Sequence, residues 1–262
     1  MMNKTSAINA LFEEWIEAQS IEADEYWQET RGKSTKISKR DFCRDGIIDE
    51  SVFEKESRKI LFVSNEANDE NYEKSGDRLE QFKTYFQTGH DLFRGKLIQR
   101  ICAIFNEITQ QHTAEFHKLA IRFAFMNINK RGGCNTIGDG GHLKKYCELY
   151  GTFIKREIEI INPDLIIWLG VRSYRLGIPE MIGATTEDDV KILQINEKTI
   201  PIMEMWHTSY YRAKVSSIPC YQQVYDEYQK EAITSNKIII KLAAKARMQM
   251  DTLKAKGYFK NL

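Results

Sequence analysis

The chain has 262 residues, of which 42% are hydrophobic and 29% charged, so it can bury a sizeable core. Its formal net charge of +1 comes from 38 basic and 37 acidic residues and favours no class of partner. No apolar stretch reaches the roughly 18 to 20 residues that span a bilayer, and acids stand where a signal peptide has its apolar core, so we expect a cytoplasmic protein with no membrane partner.

The first 56 residues predict a helical extension. Apolar residues recur there at helical spacing, at Ile8, Leu11, Phe12, Trp15 and Ile16. The charged sequence RGKSTKISKRD, residues 31–41, is typical of a loop.

Three apolar runs then predict buried strands: KILFVS at 59–64, IRFAFMNI at 121–128 and DLIIWLG at 164–170. Helical patterns at 92–109 and 143–160 separate them, and the second is predicted to end before Pro163. A hairpin is predicted next, with strands at 190–195 and 200–206. We therefore expect a three-layer α/β/α domain over residues 57–233, with a mainly parallel central sheet.

The last segment, residues 234–262, predicts a basic helix packed on this domain. Residues 237–262 hold seven basic residues and one acidic, a net charge of +6, whereas the first 56 residues hold 8 basic and 13 acidic, a net charge of −5. This asymmetry permits a basic face for a polyanion, although a solvated amphipathic helix explains it equally well.

Polar residues follow each predicted central strand, at the carboxyl ends where open α/β sheets bind ligands. SNEAND follows the first strand, Asn127 and the sequence NKRGGCNTIGDGG follow the second, Gly170 ends the third, and HTSYYRA follows the last. A single asparagine or histidine at a strand end is usually an ordinary turn or surface residue. Their common location favours a binding site.

Four of these segments resemble, in order, motifs of the uracil-DNA glycosylase superfamily. NEAND at 65–69 resembles a Gly-Glu-Ala-Pro-Gly loop, and Asn127 in FAFMNINKRGG matches the asparagine that reads the base. NPDLIIWLG at 162–170 resembles a third motif, and HTSYYRA at 207–213 resembles a His-Pro-Ser motif with Thr208 in place of proline. The resemblance implies a uracil-DNA-glycosylase-like fold and a DNA glycosylase that leaves an abasic site.

Departures from the superfamily narrow this expectation. The five cysteines are odd in number and form no CxxC pair, so we expect reduced thiols, no disulfide framework, no metal site, no iron-sulfur cluster and no other cofactor. Ala67 stands where the strongest uracil enzymes have aspartate, so uracil specificity does not carry over. The N-terminal helix and FCRDGIIDES at 42–51 resemble a bacterial branch, and the chain resembles phage-defence enzymes that excise glucosylated hydroxymethylcytosine.

The resemblance and the chemistry of glycosidic cleavage together suggest two catalytic residues. Glu66 could stabilise the developing sugar cation or orient water, and His207 could donate to the departing base. Alternatively, Glu66 is a loop carboxylate paired with a cation, and His207 is an ordinary residue at a strand end. A shared site requires both residues and Asn127 to lie within about 15 Å, the reach of one flipped nucleotide.

Further residues are candidates for contacts with a flipped nucleotide and its DNA. Tyr72 and Phe82 could stack on the base, although either ring is as easily part of the core. Lys130 and Arg131 could hold the DNA backbone. The base-binding candidates are Asn127, Asn68, Tyr72 and Phe82, and the DNA-binding candidates are Lys130, Arg131, Ser209, Tyr210, Tyr211 and Arg212.

Three other functions remain open from the sequence. The first is a glycosylase for uracil or other deaminated bases in repair. The second is a DNA-binding protein on the same fold without catalysis. The third is an unrelated α/β enzyme that binds a phosphorylated small molecule through KRGGCNTIGDGG, although no GK[ST] follows that loop and no GxGxxG opens a helix after the first strand, as nucleotide sites require.

Overall fold

A computed structural model describes residues 3–31, 42–68, 78–89, 95–133, 141–208 and 214–259. The predicted loop at 31–41 lies almost wholly outside these ranges. Among the helices that are described, none is both long and apolar enough to cross a membrane.

The helices vary from single turns to long amphipathic elements. In chain order they are α1 (Lys4–Arg31), α2 (Glu50–Phe53), α3 (Arg78–Thr88), α4 (Gly95–Thr109), α5 (Phe116–Leu119), α6 (Gly141–Ile161), α7 (Val171–Arg175), α8 (Ile178–Met181), α9 (Tyr221–Lys230) and α10 (Lys237–Ala255). A short 3-10 helix, Val215–Ser217, precedes α9.

The described strands form one mixed sheet in the order β1-β3-β2-β4-β7-β6-β5. The strands are β1 (Gly46–Ile47), β2 (Ile60–Asn68), β3 (Ala124–Gly133), β4 (Leu165–Leu169), β5 (Ala184–Glu187), β6 (Val190–Ile195) and β7 (Lys198–Met205). The neighbours β3, β2, β4 and β7 are parallel. At the two edges β1, β6 and β5 pair in antiparallel fashion.

The chain reverses its direction across the sheet between β3 and β4. It passes from β2 to β3 on one side and then crosses to β4 and β7 on the other side of β2. The carboxyl ends of β2 and β4 therefore flank the topological switch point, where open α/β sheets bind their ligands.

Alternating strand residues supply two cores, one on each face of the sheet. Phe62 of β2 joins the core beneath α4, α9 and α10, and Leu61 joins the core beneath α1 and α6. This is an α/β protein with a mostly parallel centre and helices on both faces, as predicted, and it is compatible with three α/β/α layers.

Both terminal segments bury apolar residues in these cores. Trp15 of α1 is fully buried beside α6, and β1 adds a strand to the edge of β3. In α10, Ile240 is fully buried, and the Asn236 side chain accepts a hydrogen bond from the Ile238 N–H at 3.0 Å to start the helix.

Strands β2 and β3 run further than the sequence predicts, to Asn68 and Gly133 instead of 64 and 128. Beyond the core they pair with each other, with a bulge after Glu66, so backbone hydrogen bonding continues where apolar side chains end. The predicted end of α6 is confirmed: the helix stops at Ile161, and Asn162 takes a left-handed φ of 50°. The hairpin is confirmed as β6 and β7.

Candidate functional site

The four parallel strands bring the predicted polar segments to one edge of the sheet. On adjacent strands, Ser64 pairs with Asn127 and Glu66 pairs with Asn129. Neighbouring strands lie about 4.8 Å apart, so β7, two positions from β2, carries the backbone before His207 about 10 Å from that of β2. Asn127, on β3, is three strand positions from β7, or about 14 Å by the same spacing.

Asn65 stands at the switch point, against Gly170 at the end of β4. It is only 4% exposed, and its side-chain Oδ1 is buried without a hydrogen-bond partner. A Cβ added at Gly170 would lie 2.9 Å from the Asn65 Nδ2 and 3.0 Å from the Ser173 Oγ. Glycine at position 170, with a φ of +157°, is what lets the Asn65 amide come this close to β4.

The neighbouring polar groups are already occupied. Trp168 donates its indole N–H to the Ser173 Oγ at 2.9 Å, and the Ser173 hydroxyl donates to the carbonyl oxygen of Gly170 at 3.0 Å. The Asn65 Oδ1 is left without a donor, which costs about 1–3 kcal/mol for a buried polar group. An unsatisfied acceptor at a ligand-binding position suggests that a ligand supplies the missing N–H or O–H.

Asn65 was not among the residues predicted to form the site. The sequence shows it as the first amide after a buried apolar run, and the fold shows that this strand flanks the switch point. Those two properties together would have singled it out, but the strand order that defines the switch point is visible only in the fold.

The predicted phosphate contact by Lys130 is wrong. Its side chain is fully buried, and its Nζ pairs with a carboxylate oxygen of Asp45 and lies 2.8 Å from the Glu157 Oε2. An ammonium group without exposed surface, already held by two carboxyl groups, cannot reach a DNA backbone. We call Lys130, Asp45 and Glu157 the buried triad.

Burial and the contacts within the buried triad shift the pKa values of its members in different ways. Burial raises the pKa of Glu157 well above its usual value, and Asp45 adds to this rise, whereas Lys130 opposes it. Burial alone would lower the pKa of Lys130, but Asp45 and Glu157 outweigh that effect and raise it. The two carboxyl groups thus hold the pKa of Lys130 above its usual value, and burial holds the pKa of Glu157 above its own. The rings of Phe12 and Trp15 lie 5.2 and 5.4 Å from the Lys130 Nζ and add cation-π contacts.

Asn127, the predicted base reader, faces the triad. It is 2% exposed, its backbone N–H donates to the Asp45 Oδ2 at 2.7 Å, and its Nδ2 lies 3.3 Å from the same oxygen. The predicted base-reading role stays a prediction, and it requires this amide to leave Asp45.

Phe82 does not form the predicted stacking surface. It is 2% exposed and packs edge-on against Phe123, with ring centroids 5.9 Å apart, and against Phe125 at 5.3 Å. A ring enclosed in this way has no free face for a base, so the core alternative is the correct one.

The end of β7 is tied to α4. His207 is partly exposed, and Thr208 is buried, with its carbonyl oxygen accepting a hydrogen bond from the Arg100 guanidinium. Burial lowers the pKa of Arg100. This contact fixes the backbone directly after His207, which holds the histidine at the carboxyl edge of the sheet.

Other predicted site residues are placed only in part. The structure gives the backbone positions of Glu66, Asn68 and Arg131 in their strands. Outside the described residues lie Tyr72, Ser209, Tyr210, Tyr211 and Arg212.

The described part of the chain contains no group of three or more His, Cys, Asp or Glu side chains arranged to hold a metal ion. Within the described residues, Cys43, Cys102, Cys147 and Cys220 take part in no disulfide bond. A comparison with models of known protein families gives no match, and a comparison with curated protein sequences gives no match either.

Proposed function

We propose that the protein is a DNA N-glycosylase with a uracil-DNA-glycosylase-like fold. It flips a modified base out of DNA and hydrolyses the N-glycosidic bond, and glucosylated hydroxymethylcytosine in phage DNA is the first candidate base. One observation supports this proposal above the others. The described parts of the four segments that resemble the superfamily's motifs lie at the carboxyl ends of four adjacent parallel strands.

The reaction requires two electrostatic partners at this edge. As the bond breaks, positive charge develops on the sugar and the electron pair leaves with the base. Glu66, on β2, stabilises the sugar cation and orients the water whose oxygen attacks the sugar carbon. His207, after β7, donates a hydrogen bond to the base as negative charge builds there.

Asn65 adds a recognition group to this scheme. Its unpartnered Oδ1 lies at the switch point between the two catalytic positions. In the proposed complex the Asn65 Oδ1 accepts a hydrogen bond from an N–H of the flipped base. That bond removes the free-energy penalty of an unsatisfied buried acceptor.

The alternatives differ in what they require of the same residues. A phosphorylated small molecule would be held by KRGGCNTIGDGG, whose Lys130 is buried in the triad and offers it no cation. A repair enzyme for uracil uses the same edge of the sheet and differs only in the base released. A DNA-binding protein without catalysis would release no base.

The test is base release from DNA containing uracil, hypoxanthine, hydroxymethylcytosine or glucosylated hydroxymethylcytosine, with abasic sites revealed by alkaline cleavage. Glu66→Gln keeps the shape but removes the charge, so release should slow by about a hundredfold or more, the usual effect of losing one preorganised electrostatic group. His207→Ala should have a similar effect. Glu187→Gln, an exposed carboxylate on β5, is the matched control and should keep the wild-type rate.

Both catalytic variants should still bind DNA, because phosphate contacts supply most of the affinity. If folded Glu66→Gln and His207→Ala proteins release the base as fast as the wild type, the assignment of these two residues fails. If the wild-type protein releases none of the four bases, the proposal of a glycosylase for these substrates fails.

A further inference from the structure

A groove that no sequence motif indicated lies between the 3-10 helix at Val215–Ser217 and the helices α9 and α10. Its volume is about 430 Å³, and it is lined by Val215, Tyr221, Gln222, Tyr225, Lys237 and Lys241. Val215 is one of the few large apolar side chains that is substantially exposed, at 37%. The groove therefore combines an exposed apolar side chain with tyrosine rings and lysines.

The two tyrosines offer a stacking surface. Tyr221 and Tyr225 lie one turn apart on α9, with ring centroids 6.1 Å apart and an angle of 28° between the ring planes. Rings arranged side by side in a groove bind unpaired bases regardless of sequence, because every base has a π-face.

The lysines supply charge along the same groove. Lys237 and Lys241 are one turn apart on α10, and Lys214 is exposed directly before Val215. Asp226 of α9 accepts a hydrogen bond from the Gln222 amide at 2.8 Å. Positive charge beside stacked rings is complementary to a phosphodiester strand rather than to an apolar helix.

The lysine row continues to the candidate site. Lys245, one further turn along α10, has its Nζ 5.7 Å from the centre of the Trp206 ring, and Trp206 directly precedes His207. From Lys237 to Lys245 the helix rises about 12 Å. The groove and the carboxyl edge of the sheet are thus joined by a row of cations.

We propose that this groove binds a single-stranded segment of DNA that flanks the base taken into the candidate site. Bases stack on Tyr221 and Tyr225, and Lys237 and Lys241 hold their phosphates. The link to base release rests on the proposed glycosylase function, but the binding site itself does not. The preferred substrate is therefore DNA that is unpaired beside the target base.

The test is fluorescence anisotropy with a single strand of about 12 nucleotides, a length in the range that such grooves cover, and with the matching blunt duplex. Neither carries a modified base. The single strand should bind more tightly. Tyr221→Ala with Tyr225→Ala should weaken its binding about tenfold or more, whereas Tyr221→Phe with Tyr225→Phe keeps the rings and should stay near the wild type.

The lysines are tested by the salt dependence of binding. Lys237→Gln with Lys241→Gln removes two phosphate contacts, so the slope of log K against log salt should fall in magnitude by about 1.4. Lys55→Gln with Lys254→Gln makes the same charge change at exposed lysines outside the groove and should leave the slope unchanged.

Three results would overturn the inference. The first is wild-type affinity and wild-type salt slope in both groove variants. The second is equal binding of the duplex and the single strand by the wild-type protein. The third is groove variants that lose binding to anionic phospholipid vesicles while their DNA binding is unchanged. Base release by a protein whose groove variants bind normally would leave the glycosylase proposal standing and reject this site. If DNA binding depends on the groove but the protein releases no base, the binding site stands and the glycosylase proposal is rejected.

Discussion

Replacing Lys130 by methionine should strongly destabilise the protein. The substitution keeps an unbranched side chain of similar length but removes the only positive charge of the buried triad. Asp45, 1% exposed in its side chain, is then left without its cation. Glu157, which is fully buried, is a second carboxyl group and supplies no positive charge to Asp45.

The magnitude follows from this burial. Removing one partner of a buried ion pair costs about 3–5 kcal/mol, because the remaining charge stays out of water without compensation. For a chain of this size each kcal/mol lowers the melting temperature by about 2–4 °C, so the expected loss is about 6–20 °C. The Phe12 and Trp15 contacts to the ammonium disappear as well.

Urea unfolding followed by tryptophan fluorescence measures the effect, since Trp15 and Trp168 are buried. Lys254→Met, an exposed residue of α10, is the control and should change the free energy of unfolding by less than about 0.5 kcal/mol. Adding Asp45→Asn and Glu157→Gln to Lys130→Met removes the stranded charge and should restore part of the stability.

A Lys130→Met protein that is as stable as the wild type, but has a smaller salt slope for DNA binding, would refute this reasoning. That result would mean that the lysine faces the nucleic acid, as the sequence had suggested, rather than the two carboxyl groups.

Two further substitutions probe the switch point and the triad. Gly170→Ala places a Cβ 2.9 Å from the Asn65 Nδ2, so it should lower the free energy of unfolding by about 1–3 kcal/mol and slow base release. The control is Gly151→Ala in α6, where the nearest atom to the new Cβ is 3.5 Å away. It should raise the free energy of unfolding by about 0.5–1 kcal/mol, measured by urea unfolding. The pKa of Glu157 is higher in the folded protein than in the unfolded chain. Its contribution to the free energy of unfolding is therefore complete when the pH is below the unfolded-state pKa, and it is lost as the pH rises through the folded-state pKa. Stability should therefore fall by up to about 1.4 kcal/mol per pH unit in that window, and Glu157→Gln should flatten the profile measured by unfolding at several pH values.

The sequence indicated the central strands well because each is a continuous apolar run. It indicated their ends poorly, since β2 and β3 continue through polar residues that pair only with each other. Strands are recognised in a sequence by the pattern of their apolar side chains, and backbone hydrogen bonds between strands do not require that pattern. Glu66 and Asn129, which pair beyond the apolar runs, were therefore placed after the predicted strands.

The candidate site was predictable in location but not in detail. The residues after each strand meet at one edge, as the rule for open α/β sheets implies. Lys130 was misassigned because its partners lie 85 and 27 positions away, at Asp45 and Glu157, and nothing local to NKRGG shows that the lysine turns inward. The Tyr221–Tyr225 groove was missed because it depends on how α9 and α10 pack.

The shortest described strand, β1, has a consequence for the edge of the sheet. β1 is two residues long, yet it occupies the outer side of β3, a ten-residue strand. A chain shortened to begin after residue 56 would bare that side, with its row of unpaired N–H and C=O groups, and such a bare edge recruits further strands and leads to edge-to-edge aggregation. The N-terminal segment thus covers part of the β3 edge through β1 and also supplies Asp45, the carboxylate that pairs with Lys130.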